Sequence, residues 1–320
     1  MCIRDRVLIA STLAVAEKVL VMFLIMGVGY VCYKKRIITS RGAAQLTNLL
    51  LYIVGPCLII AALQADSEGV STGKILLTIL LFLAGMIAVA AAMQLLFRRQ
   101  TRARAGMLRY GAVYSNCGFM GLPLAQAILG SAGVVYASAC VVAFNLLTWT
   151  HGYIILGGAG EDRRQMLKKA LLNPGTISFA IGLPLYALSV SLPEPLVQTL
   201  DSIGAMNTPL AMIVVGTYLA KLNLRDVFSD REVYLVTALR LVMVPVAFLL
   251  LLWLLRPDPV VMVTTALLMA APVGMNSVLF AIKLGNDTQL ACKMIALSTL
   301  LSILTMPAIA VLAQNLASVP

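Results

Sequence analysis

Residues 114–123 read Tyr114-Ser115-Asn116-Cys117-Gly118-Phe119-Met120-Gly121-Leu122-Pro123, inside an apolar run over 107–129. Two glycines, an amide and a proline so close together predict an interrupted helix, because Pro123 lacks an N–H and clashes with the preceding turn. A second run, 260–283, carries Ala271-Pro272-Val273-Gly274-Met275-Asn276-Ser277 at its middle. If both runs cross a bilayer, both breaks fall near the midplane. Non-helical backbone is tolerated there only where protein buries it or it lines a cavity.

Composition says that the runs do cross. The chain has 320 residues, of which 61% are hydrophobic and 12% charged, with a mean hydropathy of +0.96. Soluble domains carry about 25% charged residues. At about 20 apolar residues per crossing, this length gives an all-α polytopic membrane protein of ten helices, with no room for a large extramembrane domain. The ten apolar segments are 7–33, 43–64, 74–97, 107–129, 133–156, 171–191, 195–220, 233–255, 260–283 and 288–313.

The net charge of +11 marks topology and not a nucleic-acid surface. Seventeen basic residues fall in alternate loops: Lys34, Lys35, Arg36, Arg41; Arg98, Arg99, Arg102, Arg104, Arg109; Arg163, Arg164, Lys168, Lys169; Lys221, Arg225, Arg231; and Lys283. The opposite side holds four, Arg4, Arg6, Lys74 and Arg256. The positive-inside rule then predicts both termini outside. The six cysteines, Cys2, Cys32, Cys57, Cys117, Cys140 and Cys292, show no CxxC or CxH spacing, so no disulfide frame, metal site or other cofactor is expected.

Comparison of the chain with itself predicts a repeat. Pro56 has a counterpart in Pro209, and Leu124–Gly130 (LAQAILG) aligns with Leu279–Gly285 (LFAIKLG). The expected units are a start extension at 1–6, a first five-helix repeat at 7–157, a basic linker at 158–170 and a second repeat at 171–320. Five is odd, so the second repeat must be inverted. The two breaks then meet at one depth. Two of the four half-helix ends there are N-termini, whose free N–H groups and positive partial charge, with the Asn116 and Asn276 amides, suit an anion without any fixed positive side chain. The alternative is that the glycines only permit close packing and the asparagines bond each other.

Ionisable residues inside spans are costly and usually functional. Glu17 and Lys18 sit in the first segment, and Glu17, Lys293 and the polar Gln126 are candidates for coupling or counter-charge. Lys293 either snorkels or faces the crossover. Asp201 is read as solvated, Arg240 as snorkelling from the inner face, and His151 as lying at the outer part of segment five. Segments four and nine hold no Asp or Glu at the break, which disfavours exchange through paired aspartates. Sodium coupling through Gln126, Asn145 and Gln289 stays open. No nucleophile–base pair or HExxH motif occurs, so no enzyme is expected. An uncoupled channel or sensor is the other alternative.

Asn116–Pro123, Ala271–Ser277, Leu284-Gly285 and Met306-Pro307 resemble the auxin efflux carrier family, which includes plant PIN proteins and many prokaryotic transporters. The resemblance covers nearly the whole chain from about residue 7. It implies two inverted five-helix repeats, with segments 1, 2, 6 and 7 as a scaffold. Segments 3–5 and 8–10 form the transport part, in which 4 and 9 cross. It also implies an elevator motion, a homodimer in the cell membrane, and carriage of small organic anions such as auxin or mono- and dicarboxylates. By motif match, Asn116, Gly118, Gly121 and Pro123 form the first half of the substrate site, and Pro272, Gly274 and Asn276 the second. Only Gly157–Lys169 separates the halves, in place of the long hydrophilic loop of many plant members, which points to the compact prokaryotic type.

Overall fold

The computed structural model describes residues 3–65, 70–157, 162–221, 228 and 230–318. Cys2, Arg225 and linker residues 158–161 lie outside the described residues, as do the side chains of Arg4, Arg6, Lys18, Arg102 and Arg163. Among the described residues every element is helical, and one isolated β-bridge is present.

The helices are α1 (Ile3–Lys34), α2 (Ser40–Gln64), α3 (Thr72–Leu96), α4 (Arg102–Val113), α5 (Cys117–Ile155), α6 (Arg163–Leu171), α7 (Pro174–Ala187), α8 (Glu194–Ala220), α9 (Arg231–Leu255), α10 (Pro259–Ala270), α11 (Asn276–Leu284) and α12 (Thr288–Ala317). Seven of them start on a side chain that accepts a backbone N–H of the first turn: Thr39, Ser71, Asp162, Asn173, Asp230, Asp258 and Asp287. Such caps satisfy the orphan donors of a helix start.

Among the described residues six stretches are long and apolar enough to cross a membrane: α2, α3, α5, α8, α9 and α12. Segments four, six and nine fall short of this length for physical reasons. The breaks split segments four and nine into half-helices, and α7 has only 14 residues. α5 joins two segments, since Gly130 at φ +62° interrupts it. The chain folds back there, because the Tyr114 hydroxyl donates to the Leu147 carbonyl (3.1 Å) from nearly equal distances along the chain on either side.

Polar contacts sort the helix ends into two groups. At one end Arg104 pairs with Asp230 (3.1 Å) and Glu232, Asn286 donates to the Leu156 carbonyl, and Lys169 and Lys283 lie over the Tyr153 ring. At the other end Lys74 pairs with Asp258 (2.7 Å), Tyr186 donates to the Val70 carbonyl (2.7 Å) and Gln64 bonds Val190 and Leu192. α4 therefore starts at the first end and α10 at the second. α2 and α8 run antiparallel, with Thr47 beside Tyr218 and Leu58 against Gly204. Gly29 and Gly216 let the backbones of α1 and α8 touch.

Candidate functional site: the crossover of two broken helices

α4 and α10 enter from opposite ends and stop at Val113 and Ala270. Beyond them two short extended stretches pass antiparallel. The Asn116 N–H donates to the Pro272 carbonyl (2.7 Å) and the Gly274 N–H to the Tyr114 carbonyl (2.9 Å), on either side of the Ser115–Val273 bridge. The Val273 N–H donates to Ser298 Oγ of α12 (3.1 Å). Pro272 dictates part of this, because the residue before a proline is driven out of the helical region, and Ala271 is extended at φ −61°, ψ 146°. Gly274 dictates the rest. A Cβ there would lie 2.8 Å from the Ser115 carbonyl oxygen and 3.1 Å from that of Tyr114.

Arg240 lies beneath this crossing and does not snorkel. It is 0% exposed, and its guanidinium donates to main-chain carbonyls of both stopped helices. Nε reaches Ala271 (3.0 Å), Nη1 reaches Ala112 (3.2 Å) and Val113 (3.0 Å), and Nη2 bonds Met269. The physical reason is supply and demand of hydrogen bonds: a helix end leaves carbonyls without intrahelical partners, and buried ones need donors. The expectation of a site free of fixed positive side chains is corrected accordingly.

Beyond the crossing the chain resumes as α5 and α11, whose N-termini are the positive half-helix ends. Asn116 is buried at 4% exposure, whereas Gly118 is exposed and Asn276 half-buried. A Cβ on Gly118 would meet nothing within 4 Å, so α5 starts on open space. Gly121 serves packing, since a Cβ there would press on Leu268 of α10 at 3.0–3.3 Å. Pro123 is buried in the first regular turn after a wider π-type turn at Cys117–Gly121. The wider turn accommodates the missing N–H; the break itself lies at 114–116.

The remaining candidates are dispersed. Gln126 Oε1 accepts from Thr208 of α8 (3.2 Å), beside a cavity of about 270 Å³ lined by Leu58, Gln126, Gly130, Ser131, Asp201 and Gly204 among others. Asn145 bonds Thr176 of α7 (3.3 Å), and Gln289 is exposed. Lys293 is half-buried on α12, and Glu17 is exposed on α1. His151 lies toward the end of its segment that is beside Lys169 and Lys283. Its Nδ1 bonds the Tyr114 hydroxyl (2.8 Å), and it lies between Trp149 and Tyr153, which sit under Lys169 at the basic end. Sequence reasoning missed both Arg240 and Tyr114, whose carbonyl takes part in the crossing.

Two proteins similar to this chain are transporters by name. One, from Methanothermobacter thermautotrophicus, is called "Uncharacterized transporter" and is 26% identical over 91% of this chain and 96% of its own. Another, from Rhizobium meliloti, is called "Putative malonate transporter" and is 25% identical over 84% of this chain and 87% of its own. The family described as "Membrane transport protein" matches residues 14–310. The chain therefore belongs to this family of membrane transporters, the auxin efflux carriers that its broken-helix motifs resemble.

Proposed function

We propose that the protein is a secondary carrier of small organic anions, with the carboxylate held at the starts of α5 and α11 beside Asn116 and Asn276. The observation that carries this reading is the crossing itself: two helices are broken at one depth and bridged at Ser115–Val273, and one N-terminus opens on free space at Gly118. Helix N-termini bind anions through free N–H groups and the macrodipole. The name of the Rhizobium meliloti relative supports a dicarboxylate such as malonate.

The chain is read as ten crossings in two inverted repeats. Supporting this, the aligned stretches Leu124–Gly130 and Leu279–Gly285 both end on a glycine that turns the chain at positive φ, +62° and +67°, though at different ψ, −147° and 30°. An elevator motion completes the reading. The ion pairs Lys74–Asp258 and Arg104–Asp230 tie α3 to the start of α10 and α4 to the start of α9, so the transport part is clamped into one body. The scaffold of α1, α2, α7 and α8 meets it along softer contacts such as Gln126–Thr208. A homodimer in the cell membrane with both termini outside follows the family pattern and the charge bias of the loops.

Malonate counterflow in proteoliposomes tests the site. Asn116→Ala and Asn276→Ala should each lower binding by about tenfold or more, the worth of a hydrogen bond to a charged group, while the protein stays folded. Wild-type uptake from both variants would place the anion elsewhere.

A further inference from the structure

We propose that Arg240 is the positioning residue of the crossover and sets its preference for anions without touching the anion. This rests on the reading of the crossover as an anion site. Four half-helix ends meet at mid-depth. The ends of α4 and α10 each carry a partial charge of about −0.5, and the starts of α5 and α11 about +0.5 each. Left alone, the four ends would cancel and the crossing would have no preference for charge. The guanidinium, with about one positive charge that burial does not remove, is bonded to carbonyls of both negative ends: Ala112 and Val113 on one side, Met269 and Ala271 on the other. The two positive ends are then uncompensated.

All three nitrogens of Arg240 are engaged with backbone, and the side chain is fully buried. Direct contact with a ligand is therefore not its role. Its place in the span fits: it stands nine residues after Arg231 in α9, about 14 Å along the helix, close to the level of the breaks. The planar fork also suits the task, since one group reaches carbonyls of two separate helices at once.

The test compares Arg240→Lys, which keeps the charge but loses the fork, with Arg240→Gln, which loses both. Binding of malonate and of its monomethyl ester to purified protein at pH 7 is measured by calorimetry, and the ratio of the two dissociation constants is the readout. Removing one unit charge roughly 10 Å from the ligand should shrink the dianion preference by about tenfold. The expected result is a preference kept within about threefold of wild type in Arg240→Lys and lost in Arg240→Gln. A merely structural role predicts that both variants weaken both ligands alike, and that outcome overturns the proposal. If Arg240→Gln does not fold, Arg240→Met, equally neutral, is read in its place with the same expected loss of preference; if neither neutral variant folds, Arg240 belongs to the fold alone and the proposal fails. Wild-type protein that binds neither compound refutes the anion site itself, a failure distinct from an unchanged ratio in the variants.

Discussion

Gly274→Ala probes how tightly the two broken helices are crossed. The added methyl would stand 2.8 Å from the Ser115 carbonyl oxygen and 3.1 Å from that of Tyr114. Both neighbours are backbone, so neither can rotate away, and the extended stretches must separate by several tenths of an ångström. Overpacking of this kind costs about 1–3 kcal/mol. The Gly274-to-Tyr114 bond (2.9 Å) and the Asn116-to-Pro272 bond (2.7 Å) stretch with it, at about 1 kcal/mol each. A total of about 3–5 kcal/mol follows, read as a thermal midpoint lower by roughly 5–10 °C in detergent-purified protein. Gly118→Ala is the matched comparison, because a Cβ there meets nothing. Its stability should be unchanged or slightly raised, yet its methyl stands where α5 starts and the anion is placed, so malonate binding should weaken by about fivefold or more. Wild-type melting of Gly274→Ala would refute the close crossing. Wild-type affinity in Gly118→Ala would refute the placement of the ligand.

Gly285→Ala should destabilise by about 1–2 kcal/mol, since Gly285 is left-handed (φ +67°, ψ 30°) and a Cβ disfavours that, and Gly130→Ala by about 1–3 kcal/mol, since φ +62° with ψ −147° is a backbone essentially open to glycine alone; thermal unfolding checks this, and a neutral variant would break the proposed correspondence of the halves. In a background without native cysteines, a short cross-link between Gln126→Cys and Thr208→Cys should abolish counterflow, because it joins the moving part to the scaffold. A link between Lys74→Cys and Asp258→Cys should leave more than about half of it, because both groups travel together; equal effects would sink the elevator. A reporter fused at the C-terminus should be accessible from outside the cell, and a cytoplasmic signal would overturn the orientation.

Much of the fold was legible because the bilayer imposes it. The apolar segments are bounded by charge, Gly and Pro, and all are helical in the structure to within a few residues of their ends, apart from the breaks at 114–116 and 271–275 inside two of them. The breaks were legible for the same reason, since glycine, proline and amide side chains inside an apolar run have few other uses. Their fine placement was not. Pro123 drew attention as the breaker, yet the helix runs straight into it from a wider π-type turn at Cys117–Gly121, and such local π adjustment accommodates a proline inside a membrane helix. The disruption is carried by Tyr114-Ser115-Asn116, whose own propensities say little, because the partner that holds them extended is Pro272-Val273-Gly274 more than 150 residues later.

Arg240 shows what kind of residue hides from such a reading, and how it could be found. Its partners are backbone carbonyls, which carry no identity in sequence, so no motif announces the contact. Depth does announce it. Nine residues beyond Arg231 is about 14 Å into the span, farther than an arginine side chain can reach back, which argues against the snorkelling expected from the sequence. The breaks supply the other half of the argument. Each helix that stops in the membrane leaves up to four carbonyls unbonded, and water is scarce there to take them. Two such ends at one level call for several buried donors. Arginine, with five donors in one rigid plane, is the side chain to seek in the neighbouring segment wherever two broken helices cross.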